Sequence, residues 1–332
     1  MGAERSFEER ALGRLKQAFG EKILALLGDP RTLEIMLNPD GLVFCEREGA
    51  AMSCEGPARP GLAREVILTL MAMRESGERD SGIFSCELPF CSARFEGIMP
   101  PLCEEPCFCV RRHGAARLGL ADLVSCGSIT AQCAGYLRQA LLKRRSIMVC
   151  GGTGCGKTTF LNALLNEAAL LLPSDRVIAI EDTPELRLPF ANSVSLRACG
   201  GTGTGELVRA TLRMRPDRIA VGEVRGSEAL DLVDALSSGH AGGMATLHAG
   251  SAMEAVRRLV LLVSRHPRCP KAVEPLVAGA LDLIAVLEGR PKRRLVELCA
   301  VRGYSGGNFV LENTGVELCS SKSSLPHPRP CS

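Results

Sequence analysis

Residues 151–159, which read GGTGCGKTT, constrain the fold of this chain more than any other segment. The apolar run 146–150 before them is typical of a buried strand, and residues 159–165 after them indicate a helix. Glycines between a strand and a helix let the backbone turn sharply and point several N–H groups at one anion, to which the helix adds its positive end. The segment therefore predicts a phosphate-binding loop.

The residue types in this loop indicate the ligand. Lys157 is expected to reach the β- and γ-phosphates of a nucleoside triphosphate, and the Thr158 hydroxyl to ligate Mg²⁺. We therefore expect ATP with Mg²⁺ to be bound by nine residues: Gly151, Gly152, Thr153, Gly154, Cys155, Gly156, Lys157, Thr158 and Thr159.

Composition limits the class of protein. The chain has 332 residues, of which 46% are apolar, and this length favours two domains. A formal net charge of +3 gives no reason to expect direct, sequence-specific nucleic-acid binding. No apolar stretch reaches the roughly 18 to 20 residues of a membrane-spanning helix, and the charged N-terminus has no apolar signal region. We expect a cytoplasmic protein that can dock on a membrane complex.

The chain has 16 cysteines, which is many for such a protein. Without an export signal they are expected to remain thiols and to pack as small apolar groups. The densest set, residues 86–109, has no CxxC pair, which favours structural thiols over a metal site.

The pattern of apolar residues changes along the chain. Residues 1–115 predict an α+β domain, 116–129 a linker, 130–302 a nucleotide-binding α/β domain, and 303–332 a disordered tail rich in Ser, Gly, Asn and Pro. Two helices are expected in the first domain, at residues 7–27 and 62–74. Its expected strands are 32–37, 42–46, 83–88, 94–98 and 107–112. After the loop, strands alternate with helices, which indicates a mostly parallel α/β sheet covered on both faces. Its expected strands are 177–180, 193–196, 218–221, 243–247, 283–287 and 295–298.

Carboxylates follow two of these strands. Glu181 ends one apolar run and Glu223 ends another. Open α/β sheets present their ligands at the carboxyl ends of strands, so both side chains are candidates to orient water or a metal ion. Carboxylates at strand ends also serve as helix caps or turn formers.

Histidines and arginines complete the set of candidates. His240 and His248 lie in a glycine-rich segment that allows close approach to phosphate, although a lone histidine after a strand is often a core residue. Arg94 and Arg111 lie in the first domain and could reach a nucleotide only across a domain or subunit boundary. Alone, each reads as a surface charge.

Together the motifs resemble those of a known family. GGTGCGKTT, IAIEDTPEL, LVRATLRMRPDRIAVGEVRG and SGHAGGMATLHAGS are similar, in this order, to the Walker A, Asp box, Walker B and His box of the secretion and traffic ATPases. Within that superfamily the chain most resembles the conjugal-transfer ATPases of the TrbB type, which power type IV secretion. The N-terminal segments LLGDPRTLEIMLNPDG, ELPFCSARFEG and PPLCEEPCFCVRR extend the likeness to about residues 20–300.

This resemblance implies an architecture and a partner set. It implies a small PAS-like α+β domain followed by a RecA-like P-loop ATPase domain, with ATP between them. It also implies a homo-hexameric ring on the cytoplasmic side of the inner membrane. The ring would act with components of a secretion or conjugation complex, and ATP hydrolysis would drive pilus biogenesis or substrate translocation.

The resemblance also implies roles for individual residues. Glu181 is similar to the glutamate that polarises water, and Glu223 to the Walker B glutamate that joins Thr158 near Mg²⁺. His248 corresponds to the residue that senses the γ-phosphate, with His240 in support. The implied catalytic residues are Lys157, Glu181, Glu223, His248, Arg94 and Arg111.

Cys155 departs from the family pattern. It stands where the family usually has Ser or Ala, so its thiol is expected close to phosphate and reactive toward alkylating agents when nucleotide is absent.

Motor ATPases of type II secretion, tight adherence and type IV pili remain alternatives. The assembly and secretion members usually carry a repeated CxxC zinc module, which this sequence does not have, whereas pilus-retraction and tight-adherence ATPases do not carry it either. A nucleotide-gated scaffold that hydrolyses little ATP is disfavoured by the presence of Lys157, Thr158, Glu181 and Glu223.

Overall fold

The computed structural model describes residues 2–47, 50–73, 82–91, 93–112, 118–239, 242–289 and 293–319, with side chains from residue 9 onward. The chain folds into two compact units, one before residue 113 and one after residue 117. Each unit has its own sheet and its own apolar core.

The first unit is an antiparallel sheet with helices packed on one face. Its described helices are α1 Gly2–Gly28 and α2 Leu62–Ala72, and its strands are β1 Thr32–Leu37, β2 Leu42–Arg47, β3 Ser53–Pro57, β4 Ile83–Glu87, β5 Ala93–Ile98 and β6 Cys107–Arg112. The strand order is β3-β2-β1-β6-β5-β4. Alternate residues of the strands join α1 and α2 in a core centred on Phe19, Phe95 and Phe108. The unit is α+β, as predicted, with β3 as an unpredicted edge strand.

The second unit is an α/β sheet with helices on both faces. Its strands are β7 Ile147–Gly151, β8 Arg176–Glu181, β9 Asn192–Arg197, β10 Arg218–Val221, β11 Met244–Leu247, β12 Leu283–Glu288, β13 Arg294–Ser305 and β14 Asn308–Asn313. Its described helices are α3 Leu120–Ser125, α4 Ala131–Leu142, α5 Lys157–Leu171, α6 Thr204–Thr211, α7 Glu228–Ser237, α8 Ala252–Ser264 and α9 Val273–Ala280. The order is β14-β13-β12-β7-β11-β10-β8-β9. The first six strands in sequence pair in parallel, and β13 and β14 add an antiparallel edge.

Parallel pairing decides where the predicted site residues lie. Strands β7, β11, β10 and β8 are consecutive neighbours in the sheet. Every residue of β7, β10 and β11 is buried, and β8 is buried except at its first residue. Buried parallel strands read as continuous apolar runs, which is why the sequence revealed them. Because their carboxyl ends meet at one edge of the sheet, the loop after β7 lies at the same edge as Glu181, Glu223 and His248.

Two expected boundaries are wrong. The linker expected at residues 116–129 contains α3, whose Leu120 and Leu123 are buried in the core of the second unit. The tail expected to be disordered from residue 303 is ordered to residue 319, because β13 and β14 form a hairpin across Gly306 and Gly307. Both glycines have positive φ, of 58° and 79°, as a tight two-residue hairpin turn requires. Residues 320–332 lie outside the described part of the chain.

No helix in the described ranges combines the length and the apolar character needed to cross a bilayer.

A buried ion-pair network holds the sheet at the edge opposite the phosphate loop. Arg218, at the start of β10, is completely buried, and its Nε donates to Asp175 Oδ2 at 2.7 Å. Arg144 Nη2 donates to the other oxygen of Asp175 at 2.5 Å, and Arg218 Nη2 donates to the carbonyl of Leu141 at 2.7 Å. The network joins the ends of α4 and β10 to the turn before β8.

Replacing Arg218 with methionine is expected to lower the free energy of unfolding of this unit by about 3 kcal/mol, because Asp175 stays buried with one cationic partner fewer. The matched control is Arg302→Met, which removes an ion pair with Glu312 whose side chains are 55% and 59% exposed. That change is expected to cost less than about 1 kcal/mol. Urea titration followed by circular dichroism measures both, and equal losses would contradict a structural role for the buried network.

Candidate active site

The loop after β7 has the backbone of a phosphate cradle. Gly151, Gly154 and Gly156 have positive φ values of 149°, 72° and 95°. A Cβ on Gly151 would lie 2.4 Å from Cys155 Sγ and 2.5 Å from the carbonyl oxygen of Leu287, so only glycine fits there. Helix α5 begins directly after Gly156, with Lys157, Thr158 and Thr159 in its first turn. The residues present therefore fit a bound phosphate chain.

The side chain of Lys157 folds back onto the glycine loop that precedes it. Its Nζ donates to the carbonyl oxygens of Gly151 at 3.1 Å and Gly152 at 2.9 Å, and the residue is 8% exposed. The same nitrogen is 3.4 Å from His248 Nδ1. The ammonium group is thus held at the mouth of the cradle, within reach of a histidine from the end of β11.

Cys155 does not present an accessible thiol. The residue is 3% exposed, and its Sγ faces Gly151. On the other side, a Cβ on Gly289 would lie 3.0 Å from Cys155 Cα. The expected reactivity toward alkylating agents is therefore wrong for this conformation of the loop, because the thiol packs behind the cradle against the end of β12.

His248 connects Lys157 to Glu223. His248 Nε2 is 2.9 Å from Glu223 Oε1. Burial lowers the pKa of His248 and the neighbouring Lys157 lowers it further, which favours the neutral imidazole. A neutral imidazole can donate its Nε2–H to Glu223, and Lys157 Nζ lies at nearly equal distances from the two ring nitrogens, 3.4 Å from Nδ1 and 3.5 Å from Nε2. The side chains of Lys157, His248 and Glu223 are therefore in contact at the edge of the sheet.

Glu223 also has a cationic partner, Arg225, which sequence reasoning missed. Arg225 Nη2 is 2.5 Å from Glu223 Oε2, and Nη1 is 3.9 Å from Asp182 Oδ2. Burial acts to raise the pKa of Glu223, but Arg225 and Lys157 lower it overall, so the carboxylate form is favoured. The sequence feature that could have indicated this pair is the position of Arg225, two residues after the strand-end carboxylate Glu223.

Glu181 lies at the end of β8 and is 5% exposed. Its Oε1 accepts hydrogen bonds from the backbone N–H groups of Glu185 at 2.9 Å and Leu186 at 2.8 Å. A Cβ on Gly222 would lie 2.9 Å from Glu181 Cγ, so the side chain packs against the residue before Glu223. Glu181 therefore stabilises the turn after β8, as the alternative interpretation of strand-end carboxylates expects, and its side chain also contacts the end of the strand that leads to Glu223.

The remaining predicted residues are not brought to this site by the described contacts. Arg94 and Arg111 belong to the first unit, where they are directly opposite each other on β5 and β6. Arg94 Nη2 is 3.6 Å from Glu96 Oε2. His240 lies outside the described residues. Within the described ranges, no group of three or more Cys, His, Asp or Glu side chains is arranged so that it could hold a metal ion.

The chain is similar to known proteins over most of its length. The family model of the type II/IV secretion system proteins matches residues 89–324. A probable conjugal transfer protein TrbB of Sinorhizobium fredii is 36% identical over 306 residues, which cover 92% of this chain and 94% of that protein. The type IV secretion system protein VirB11 of Brucella suis is 32% identical over 282 residues, 73% of this chain and 76% of that protein.

A solved structure shares the fold. The crystal structure of the pilus retraction motor PilT with bound ADP has a TM-score of 0.59 and 19% sequence identity, and the alignment covers 89% of this chain and 83% of that one. At this identity the likeness concerns the fold alone. With the family model matching most of the sequence and a relative similar over nearly its whole length, the chain belongs to the type II/IV secretion system protein family, as a traffic ATPase of the TrbB type.

Proposed function

We propose that this chain is the ATPase that powers a conjugative type IV secretion apparatus. The observation that carries the proposal is the contact of Lys157, His248 and Glu223 beside a glycine cradle at the carboxyl edge of a parallel sheet. Relatives above 30% identity are named conjugal transfer or type IV secretion proteins, which favours this apparatus over the type II secretion, tight-adherence and type IV pilus alternatives.

ATP and Mg²⁺ are the proposed ligands. The nine residues of the cradle, residues 151–159, would hold the phosphate chain, and Thr158 with Glu223 would hold Mg²⁺. A carboxylate, a hydroxyl and phosphate oxygens are the ligand types that Mg²⁺ prefers. When bound, Mg²⁺ would neutralise negative charge on the phosphate oxygens.

Lys157, Glu181 and His248 would each have a separate catalytic role. Lys157 would exchange the carbonyl oxygens of its own loop for phosphate oxygens. Glu181 would orient the attacking water, since its carboxylate is fixed by two backbone N–H groups. His248 touches both Lys157 and Glu223, so it would report the arrival of the γ-phosphate to the Walker B carboxylate.

The first unit would complete the site from across a boundary. Arg94 and Arg111 are cross-strand partners, so they put two cations on one face of the PAS-like unit. We propose that they clamp the nucleotide in a homo-hexamer on the cytoplasmic side of the inner membrane, where the ring contacts membrane components of the apparatus.

Activity is therefore expected to depend on assembly. The specific rate of phosphate release should rise with protein concentration as rings form, with masses followed by light scattering. Arg111→Ala is expected to lower kcat at least about tenfold, whereas Arg31→Ala, which removes an arginine that is 71% exposed, should leave it unchanged.

Mixing Arg111→Ala with Lys157→Ala subunits gives the sharper result. If each site uses residues of two subunits, the mixture recovers part of the activity that neither variant has alone. A fully active monomer, or no effect of Arg111→Ala, would contradict the proposal.

A further inference from the structure

Arg225 occupies an unusual position among the charged groups of the site. It lies between two carboxylates that follow different strands, Glu223 after β10 and Asp182 after β8. The other oxygen of Glu223 is taken by His248. Each oxygen of Glu223 therefore has a donor, and Arg225 supplies the charged one.

The backbone of Arg225 is fixed independently of its side chain. Glu228, in the first turn of α7, accepts hydrogen bonds at Oε1 from the N–H groups of Arg225 and Gly226, each at 2.7 Å. A Cβ on Gly226 would lie 2.8 Å from Glu228 Oε2, so the loop lies directly on this side chain. The guanidinium group can therefore change partner while its attachment point stays in place.

Asp182 is also held in place. Its Oδ1 accepts a hydrogen bond from Thr204 Oγ1 at 3.0 Å, at the start of α6, and its carbonyl accepts one from Arg197 Nε at 3.3 Å. Arg225 is 57% exposed, and an ion pair this exposed is weak enough to be exchanged. Asp182, 3.9 Å away, is a second anion ready to receive the guanidinium group.

We propose that Arg225 is a positioning residue that competes with Mg²⁺ for the carboxylate of Glu223. A cation cannot approach that carboxylate fully while the guanidinium group neutralises it, so Mg²⁺ binding requires Arg225 to leave Glu223 and turn toward Asp182. The inference depends on the proposed role of Glu223 as a Mg²⁺ ligand. It gives the Walker B arginine a function in setting the Mg²⁺ requirement for nucleotide binding.

The test measures binding rather than turnover. The affinity for a fluorescent, non-hydrolysable ATP analogue is measured over a range of Mg²⁺ concentrations, which gives the half-saturating Mg²⁺ concentration for each variant. Arg225→Gln is expected to lower that concentration by roughly three- to tenfold, the size expected of one charge pair near a surface. Arg225→Lys keeps the charge and should stay within about twofold of wild type.

Two further variants separate the possible outcomes. Arg213→Gln removes an exposed arginine just after α6, so it controls for the general loss of positive charge. Glu223→Gln should raise the half-saturating Mg²⁺ concentration and remove the effect of Arg225→Gln in the double variant. If Glu223→Gln alone changes nothing, the proposed Mg²⁺ role of Glu223 fails. If Glu223→Gln has its effect but Arg225→Gln does not lower the Mg²⁺ requirement, or lowers it no more than Arg213→Gln does, the competition itself is refuted.

Discussion

Replacing Lys157 with alanine is expected to abolish ATP turnover, with kcat/KM reduced at least about 1,000-fold. The ammonium group is held at the mouth of the cradle by two loop carbonyls and lies 3.4 Å from His248 Nδ1. Its loss removes the cation proposed to meet the charge developing on the phosphoryl group, and it also removes the ammonium group beside His248. Steady-state phosphate release over a range of ATP concentrations measures the effect.

The control for this change is Lys143→Ala, which alters an exposed lysine at the end of α4 and should leave turnover unchanged. Lys157 itself is buried against its loop, so circular dichroism and light scattering must show that the variant still folds and assembles. A folded Lys157→Ala protein that turns over within about fivefold of wild type would rule out the assigned role.

Replacing Glu181 with glutamine is expected to lower kcat at least about 100-fold while changing ATP affinity less than about threefold. The amide oxygen of glutamine can still accept the hydrogen bonds from Glu185 and Leu186, so the turn after β8 is preserved. The substitution removes the negative charge that is proposed to orient water. Single-turnover hydrolysis and equilibrium binding, measured on the same preparation, separate the two effects.

The comparison with Glu181→Ala sharpens this prediction. Alanine removes the turn as well as the charge, so it should lower stability in addition to the rate, whereas glutamine should lower the rate alone. If Glu181→Gln loses affinity as much as it loses rate, Glu181 is a binding and turn-forming residue and not the group that orients water.

Local patterns explain why much of this fold could be predicted. The glycines of the cradle indicate directly where the backbone has no room for a side chain, since a Cβ at Gly151 would collide with Cys155 and Leu287. Strands β7, β10 and β11 are buried on both faces and therefore read as apolar runs. Once parallel pairing is assumed, the residues that follow these strands must share an edge, which brings Glu223 and His248 to the loop.

Features that depend on tertiary packing could not be predicted in the same way. Helix α3 is short, and its sequence predicts a linker because the burial of Leu120 and Leu123 is created by the domain on which the helix packs. The β13–β14 hairpin was hidden by its polar, glycine-rich composition, although Gly306 and Gly307 mark its turn.

Side-chain direction was the least accessible from sequence. The thiol of Cys155 was expected at the phosphates but turns behind the loop. The role of Arg225 is not predicted from sequence, because a charged residue after a strand usually faces solvent, whereas here Arg225 pairs with Glu223. Arg94 and Arg111 are 17 positions apart in sequence, and only the register of β5 against β6 shows that they are neighbours.

The most direct test of the account is phosphate release by the purified full-length protein with ATP and Mg²⁺, measured at protein concentrations below and above ring formation. The account predicts Mg²⁺-dependent release that saturates with ATP and increases as subunits assemble. A pure, fully assembled protein that neither retains ATP nor releases phosphate would contradict it.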